Sequence, residues 1–163
     1  LGARVIAATS SDLKMQLCLK RGADFAVNYS TVNPQSALKK ILPGGVNVWW
    51  ETSREPDFDR AVAALAPRGR MIVMAGRDAR PPFPVGPFYV KGCSLHGFVM
   101  FNASPEEQID AADDINRWQA EGRIKPHIDR VMPLAETAAA HRLQEERTVQ
   151  RSGALCGKIV LKP

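Results

Sequence analysis

The sequence predicts an α/β fold organised on a doubly wound parallel sheet. Three observations carry the prediction. Apolar runs alternate with helix-patterned runs as far as about residue 122, the order of a parallel sheet covered on its faces. The apolar runs are short and nearly continuous, as strands buried on both sides are. Glycines and prolines fall between the runs, at Gly22, Pro43-Gly44-Gly45, Pro67-Arg68-Gly69 and Gly76.

Each element has a local reason. Ala3 to Ala8 is a continuous apolar strand. Ser11 or Asp12 caps a helix to about Arg21, with Leu13, Leu17 and Cys18 on its apolar face and Gly22 as its stop. Phe25 to Asn28 is a short strand. Asn33 or Pro34 opens a helix through Leu38 and Ile41, and Val46 to Glu51 is the next strand. Asp57 to Leu65 is a helix, Pro67-Arg68-Gly69 a turn, and Arg70 to Ala75 a strand closed by Gly76. The segment Arg80-Pro81-Pro82-Phe83-Pro84 is rigid and loop-like, with a turn of helix expected at Pro87 to Val90. Ser94 to Val99 is a strand. Ser104-Pro105-Glu106-Glu107 starts a long helix to about Gly122: a capping serine, a proline in the first turn, and acids at the positive end of the dipole. The pattern then changes near Ile124-Lys125-Pro126. His127 to Met132 is a strand, Leu134 to Glu145 a helix, Thr148 to Gly157 a polar loop and Lys158 to Leu161 a last strand.

Composition narrows the function classes. A chain of 163 residues holds one sizeable core, and 45% hydrophobic with 24% charged residues is globular rather than disordered. No apolar run spans a membrane. The net charge of +5 is spread along the chain without an RNA-stacking motif, which argues against a nucleic-acid partner. Cys18, Cys93 and Cys156 are odd in number and far apart, so they form no disulfide framework, and a reducing, cytoplasmic compartment is expected. Cys18 reads as a small buried hydrophobe. His96, His127 and His141 show no metal spacing. Gly92-Cys93-Ser94-Leu95-His96 lacks the second glycine of a nucleophile elbow, which removes a hydrolase from consideration.

The opening Leu1-Gly2-Ala3-Arg4-Val5-Ile6-Ala7-Ala8-Thr9-Ser10-Ser11 reads as the second strand of a dinucleotide-binding sheet, and no glycine fingerprint precedes it. Together with Arg21-Gly22-Ala23-Asp24, Val27-Asn28-Tyr29, Gly44-Gly45-Val46-Asn47-Val48 leading to Glu51, Leu65-Ala66-Pro67-Arg68-Gly69-Arg70 through Gly76, Ala140-His141-Arg142-Leu143 and Gly157-Lys158-Ile159-Val160-Leu161, it resembles the medium-chain dehydrogenase/reductase superfamily. Within that superfamily it is most similar to the zinc-independent quinone oxidoreductase branch. The likeness covers essentially the whole chain.

The resemblance implies a Rossmann-like sheet lacking its first strand. It assigns residues 1–125 to a partial dinucleotide-binding domain. Residues 126–163 would return to a GroES-like catalytic domain, so the expected whole is a longer enzyme. The strand order of that fold puts the absent strand at the centre, leaving two long edges. It also implies an NADPH-dependent oxidoreductase that transfers hydride to a quinone or an activated carbonyl or alkene, with dimerisation through the strand at Ser94 to Val99.

Candidate cofactor residues follow. After the first strand, Thr9-Ser10-Ser11 stands where an NAD site ends in Asp or Glu, and Lys14 lies one turn on; hydroxyls and a cation suit the 2′-phosphate of NADP(H). By resemblance Lys14 and Tyr29 approach that phosphate, the backbone at Gly76 and Arg77 passes the nicotinamide ribose, and Phe98 and Val99 hold the carboxamide. Thr52 ends the third strand, in Thr52-Ser53-Arg54, where the family often carries a glycine. The plainer readings are that Ser10 and Ser11 only cap a helix, that Lys14 is a solvated charge, that Gly76 only turns the chain, and that Phe98 and Val99 are core. No catalytic acid, base or metal ligand is named. The substrate is expected to be a small molecule. The rivals are part of a zinc-dependent alcohol dehydrogenase and a non-catalytic dinucleotide-binding or interaction module.

Overall fold

The computed structural model describes residues 2–150, 152 and 155–163. The chain divides into two compact units, Leu1–Asn102 and Ala103–Pro163.

In the first unit five strands form two parallel sheets. Strand β1 (Ile6–Thr9) pairs with β2 (Phe25–Asn28), with Ile6 opposite Phe25 and Thr9 opposite Asn28. The second sheet has the order β3 (Val46–Glu51), β4 (Leu65–Val73), β5 (Ser94–Gly97), with β4 central. Among the described residues β1 and β3 each have one strand partner. This is the Rossmann-like α/β architecture.

The helices start where side chains can take the first free amides. Ser11, Asn33 and Asp57 accept from the backbone N–H three residues on and open α1 (Asp12–Lys20), α2 (Pro34–Ile41) and α3 (Phe58–Ala64). At the far end of α3, the Lys91 ammonium donates to the carbonyls of Val62, Ala63 and Leu65 at 2.7, 3.1 and 2.7 Å. A cation there also meets the negative end of the dipole. The core is centred on α3 and β4, where Ala61, Val62, Leu65 and Met71 are buried and Val46, Trp49, Phe58, Val73, Phe88 and Cys93 pack around them. Phe83, in the proline-rich loop, stacks edge-on against Phe58 and Phe88 at 5.4 and 5.0 Å, which ties α4 (Val85–Val90) to α3.

Several expectations are corrected: the first strand begins at Ile6 rather than Ala3, and the last helix runs Thr137–Thr148 behind a 3₁₀ turn rather than Leu134 to Glu145. Strand β4 begins at Leu65, not at Arg70. Val46 pairs with Leu65, the register then shifts, and Val48 pairs with Arg70, so the Pro67-Arg68-Gly69 turn is an excursion inside the strand with Arg68 at φ 60°. Leu13 is 72% exposed, because α1 lays the Met15, Leu17 and Cys18 side inward; Cys18 itself is half-buried. Strand β5 ends at Gly97, two residues early, although the Phe98 N–H still reaches the Val73 carbonyl at 2.9 Å. Helix α4 starts at Val85 rather than Pro87, since Pro87 needs no amide partner in a first turn.

The second unit contains α5 (Pro105–Ala120), β6 (Ile128–Pro133), a 3₁₀ turn at Leu134–Glu136, α6 (Thr137–Thr148) and β7 (Lys158–Lys162). Ser104 and Glu107 form a reciprocal capping box at the start of α5. Strands β6 and β7 pair in parallel, Val131 opposite Val160. Asp129 on β6 accepts from the Cys156 amide and from Arg130, both at 2.9 Å; the amide and then the guanidinium hold its carboxyl below the ordinary value.

Candidate functional site

In parallel α/β sheets ligands bind beyond the carboxyl ends of the strands. The sequence-predicted residues lie at such ends, in two sets.

The first set stands at the ends of β1 and β2. Ser10 and Ser11 follow β1, Lys14 is in the first turn of α1, and Tyr29 follows β2 with half its surface exposed. The two loops are stitched together: the Tyr29 N–H donates to the Thr9 carbonyl at 2.9 Å, and the Ser30 hydroxyl donates to the Ser10 carbonyl at 3.0 Å. The Ser11 hydroxyl oxygen accepts from the Lys14 N–H at 3.4 Å, so its capping role is real; its own O–H remains a donor. Among the described residues no carboxylate pairs with the Lys14 ammonium. The nearest acid in sequence, Asp12, is turned to β2, where Oδ1 accepts from the Asn28 amide Nδ2 at 2.7 Å. Hydroxyls, a cation and an engaged acid suit a phosphate better than a bare ribose hydroxyl.

The second set stands at the ends of β3, β4 and β5. Thr52 is exposed directly after β3. Gly76 follows β4 at φ 82° and lies tight against the loop after β3: a Cβ there would come to 3.0 Å from Pro56 Cδ and 3.2 Å from the Arg54 carbonyl. Arg77 is exposed next to it. Phe98 and Val99 are 53% and 46% exposed just after β5, which does not make them core.

Two residues that sequence reasoning passed over organise these sets. Asn28, 5% exposed, closes β2: besides holding Asp12, its Oδ1 accepts the Ser30 N–H at 3.0 Å. Glu51, also 5% exposed, closes β3: its two carboxylate oxygens accept from Trp49 Nε1 at 3.1 Å and from the Ser53 N–H at 2.9 Å. The signal for both was a polar residue ending an otherwise apolar strand run, at the end of the sheet where ligands bind. Among the described residues no group of three or more His, Cys, Asp or Glu side chains could hold a metal ion. A zinc ion therefore finds no ligand set there. Nor is any described helix long and apolar enough to cross a membrane.

Comparison with known proteins follows the same lines. The family model described as zinc-binding dehydrogenase matches residues 1–117. Quinone oxidoreductase-like protein 2 of Mus musculus is 44% identical over 162 residues, covering 90% of this chain and 44% of the mouse protein. The crystal structure of Escherichia coli quinone oxidoreductase complexed with NADPH aligns with a TM-score of 0.82 at 26% identity, over 100% of this chain and 50% of that one. A crystal structure of an NAD-dependent alcohol dehydrogenase aligns with a TM-score of 0.83 at 27% identity, over 99% and 44%. The chain thus spans about half the length of the relatives it matches. Those relatives divide over the dinucleotide, so the choice rests on the residues after β1.

Proposed function

Since the chain belongs to the zinc-binding dehydrogenase family, we propose that it is the cofactor-binding part of an NADPH-dependent oxidoreductase. The proposed reaction is hydride transfer to a small molecule, a quinone or an activated carbonyl or alkene. The observation that carries the reading is the set after β1: two serines, Lys14 with no carboxylate partner among the described residues, and Asp12 engaged by Asn28.

In this reading Ser10, Ser11, Lys14 and Tyr29 hold the 2′-phosphate end. Charge-assisted hydrogen bonds from an ammonium and hydroxyls are among the strongest neutral-pH contacts a phosphate can make. Thr52, Gly76, Arg77, Phe98 and Val99 receive the nicotinamide end. At Gly76 a side chain would meet Pro56 and the Arg54 carbonyl, so the two loops pass each other backbone to backbone. NADPH, when bound, would supply the hydride, and the chain's own residues would orient it. Residues 1–125 form the cofactor domain, and 126–163 lead back to a catalytic domain carried by the rest of the enzyme. The similarity to a quinone oxidoreductase solved with NADPH supports the cofactor and the substrate class. The exposed strand β5 supports pairing with a second copy to form a homodimer.

Lys14→Ala tests the cofactor assignment. In the full-length protein it is expected to raise KM for NADPH by roughly tenfold, the loss of one charge-assisted contact, and to leave KM for NADH within about twofold. Steady-state kinetics with both cofactors measures it. An equal rise for both overturns the NADPH reading.

A further inference from the structure

We propose that Asn28 determines the cofactor specificity of this site by restraining the charge of Asp12. The inference rests on the assignment of the β1 end to NADP(H) and gives that end a selection device.

The geometry is as follows. Asp12 is the first residue of α1, directly after the serine pair. A carboxylate so placed has two uses: it can reach the dinucleotide, or it can stay on the sheet side. An acid at the end of this strand accepts from the 2′-hydroxyl of NAD and repels the 2′-phosphate of NADP. Here Asn28 Nδ2 takes Oδ1 of Asp12 at 2.7 Å. Both residues line a crevice of about 360 Å³ between α1, β2 and α2, with Met15, Val27 and Ile41 among its walls; Ser10, Ser11, Lys14 and Tyr29 do not line it. The carboxylate is thus directed into a different space from the proposed phosphate contacts.

Asn28 is itself fixed. It is 5% exposed, its Oδ1 accepts the Ser30 N–H at 3.0 Å, and its carbonyl accepts the Thr31 and Val32 amides at 3.2 and 3.1 Å. Its amide group has an acceptor end and a donor end, and both are used. An aspartate at 28 could not donate to Asp12, and an alanine would leave Asp12 untethered. A residue of this chemistry at this position therefore acts on the cofactor through Asp12. It is a positioning residue, not a contact.

The test is the ratio of kcat/KM for NADPH to that for NADH in the full-length protein. Asn28→Ala is expected to lower the ratio by roughly tenfold, the scale of one nearby like charge brought to bear on a phosphate. In an Asp12→Asn background the same Asn28→Ala change is expected to leave the ratio within twofold, because no charge remains to be released. A merely structural role would lower both cofactors together and leave the ratio alone. Should Asn28→Ala fail to fold, the exchanged pair Asn28→Asp with Asp12→Asn serves. It keeps an acceptor for the Ser30 N–H, reverses the donor of the 12–28 bond and moves the charge onto β2. Its ratio is expected to equal that of the wild type, and a tenfold fall would overturn the proposal. A wild-type preference for NADPH with a ratio unmoved by Asn28→Ala overturns this inference alone. A wild-type preference for NADH overturns both it and the cofactor reading.

Discussion

Gly45→Ala is expected to destabilise the first unit by about 3–5 kcal/mol, while Gly22→Ala costs about 1–2 kcal/mol. Both glycines have positive φ, 83° and 98°, so both substitutions impose backbone strain. Only one meets an obstacle. A Cβ on Gly22 finds nothing within 4 Å, whereas one on Gly45 lies 2.6 Å from the Ala66 amide nitrogen and 2.8 Å from the Ala64 carbonyl oxygen. Those are main-chain atoms of the α3–β4 junction, in the best-packed part of the molecule, and they cannot swing aside as a side chain would. Moving them would disturb Leu65, which is 2% exposed and pairs with Val46. Urea unfolding of the two variants measures the difference. Equal midpoints would mean that strain alone matters and that the close approach is not limiting.

The second large effect is expected at Glu51. Glu51→Ala is expected to cost about 2–4 kcal/mol and to raise KM for NADPH several-fold. Two donors converge on this buried carboxylate, one on each oxygen. Removing it leaves the Trp49 indole N–H and the Ser53 amide without this acceptor; such a loss costs about 1–3 kcal/mol at a buried donor, and less at Ser53, which is exposed. Glu51→Gln is informative because its volume is unchanged. Its amide turns an NH2 toward one of the two donors, so it is expected to recover only about half of the loss. The functional consequence comes through the Ser53 bond. That bond sets the course of the chain from Thr52 to Pro56, and Gly76 rests against Arg54 and Pro56. Loosening the first loop releases the second, and both border the proposed nicotinamide site. Thermal unfolding together with cofactor titration checks the pair of effects. A Glu51→Gln variant indistinguishable from wild type in both would remove the role.

Much of the fold was legible because local signals agreed with one another. Phe25–Asn28 and Val46–Glu51 were read with the ends they have, since Gly22-Ala23-Asp24 and Gly44-Gly45 precede them and polar runs follow soon after. Three helix starts were legible in Ser11, Asn33 and Asp57, whose short side chains favour capping over a helix interior. What failed needed a partner to be seen. The early start of β4 depends on Val46 lying across from Leu65, and no property of Pro67-Arg68-Gly69 itself reveals that the ladder has already begun before it. Leu13 matches an apolar stripe with Leu17, yet which side of a short helix turns inward is decided by the neighbours present. The site shows the same limit. Cations and hydroxyls were visible as chemistry, but Asn28 and Glu51 act through single bonds to other side chains or amides, and those bonds exist only once strand ends are brought side by side.

The tandem tryptophans of β3 give the molecule an optical reporter of its own. Adjacent strand residues point to opposite faces, and the two indoles have been given opposite surroundings. Trp49 packs on the core with its N–H on Glu51, while Trp50 is 67% exposed with its N–H 2.8 Å from the Met74 sulfur. A water-borne quencher such as iodide reaches Trp50 far more readily than Trp49. Once the third tryptophan, the half-buried Trp118, is replaced by Phe, the emission that survives it weights the inner indole, two residues along the strand from Glu51 and three from Thr52. A red shift of that residual light registers water entering at the end of β3, ahead of any change in overall helix content.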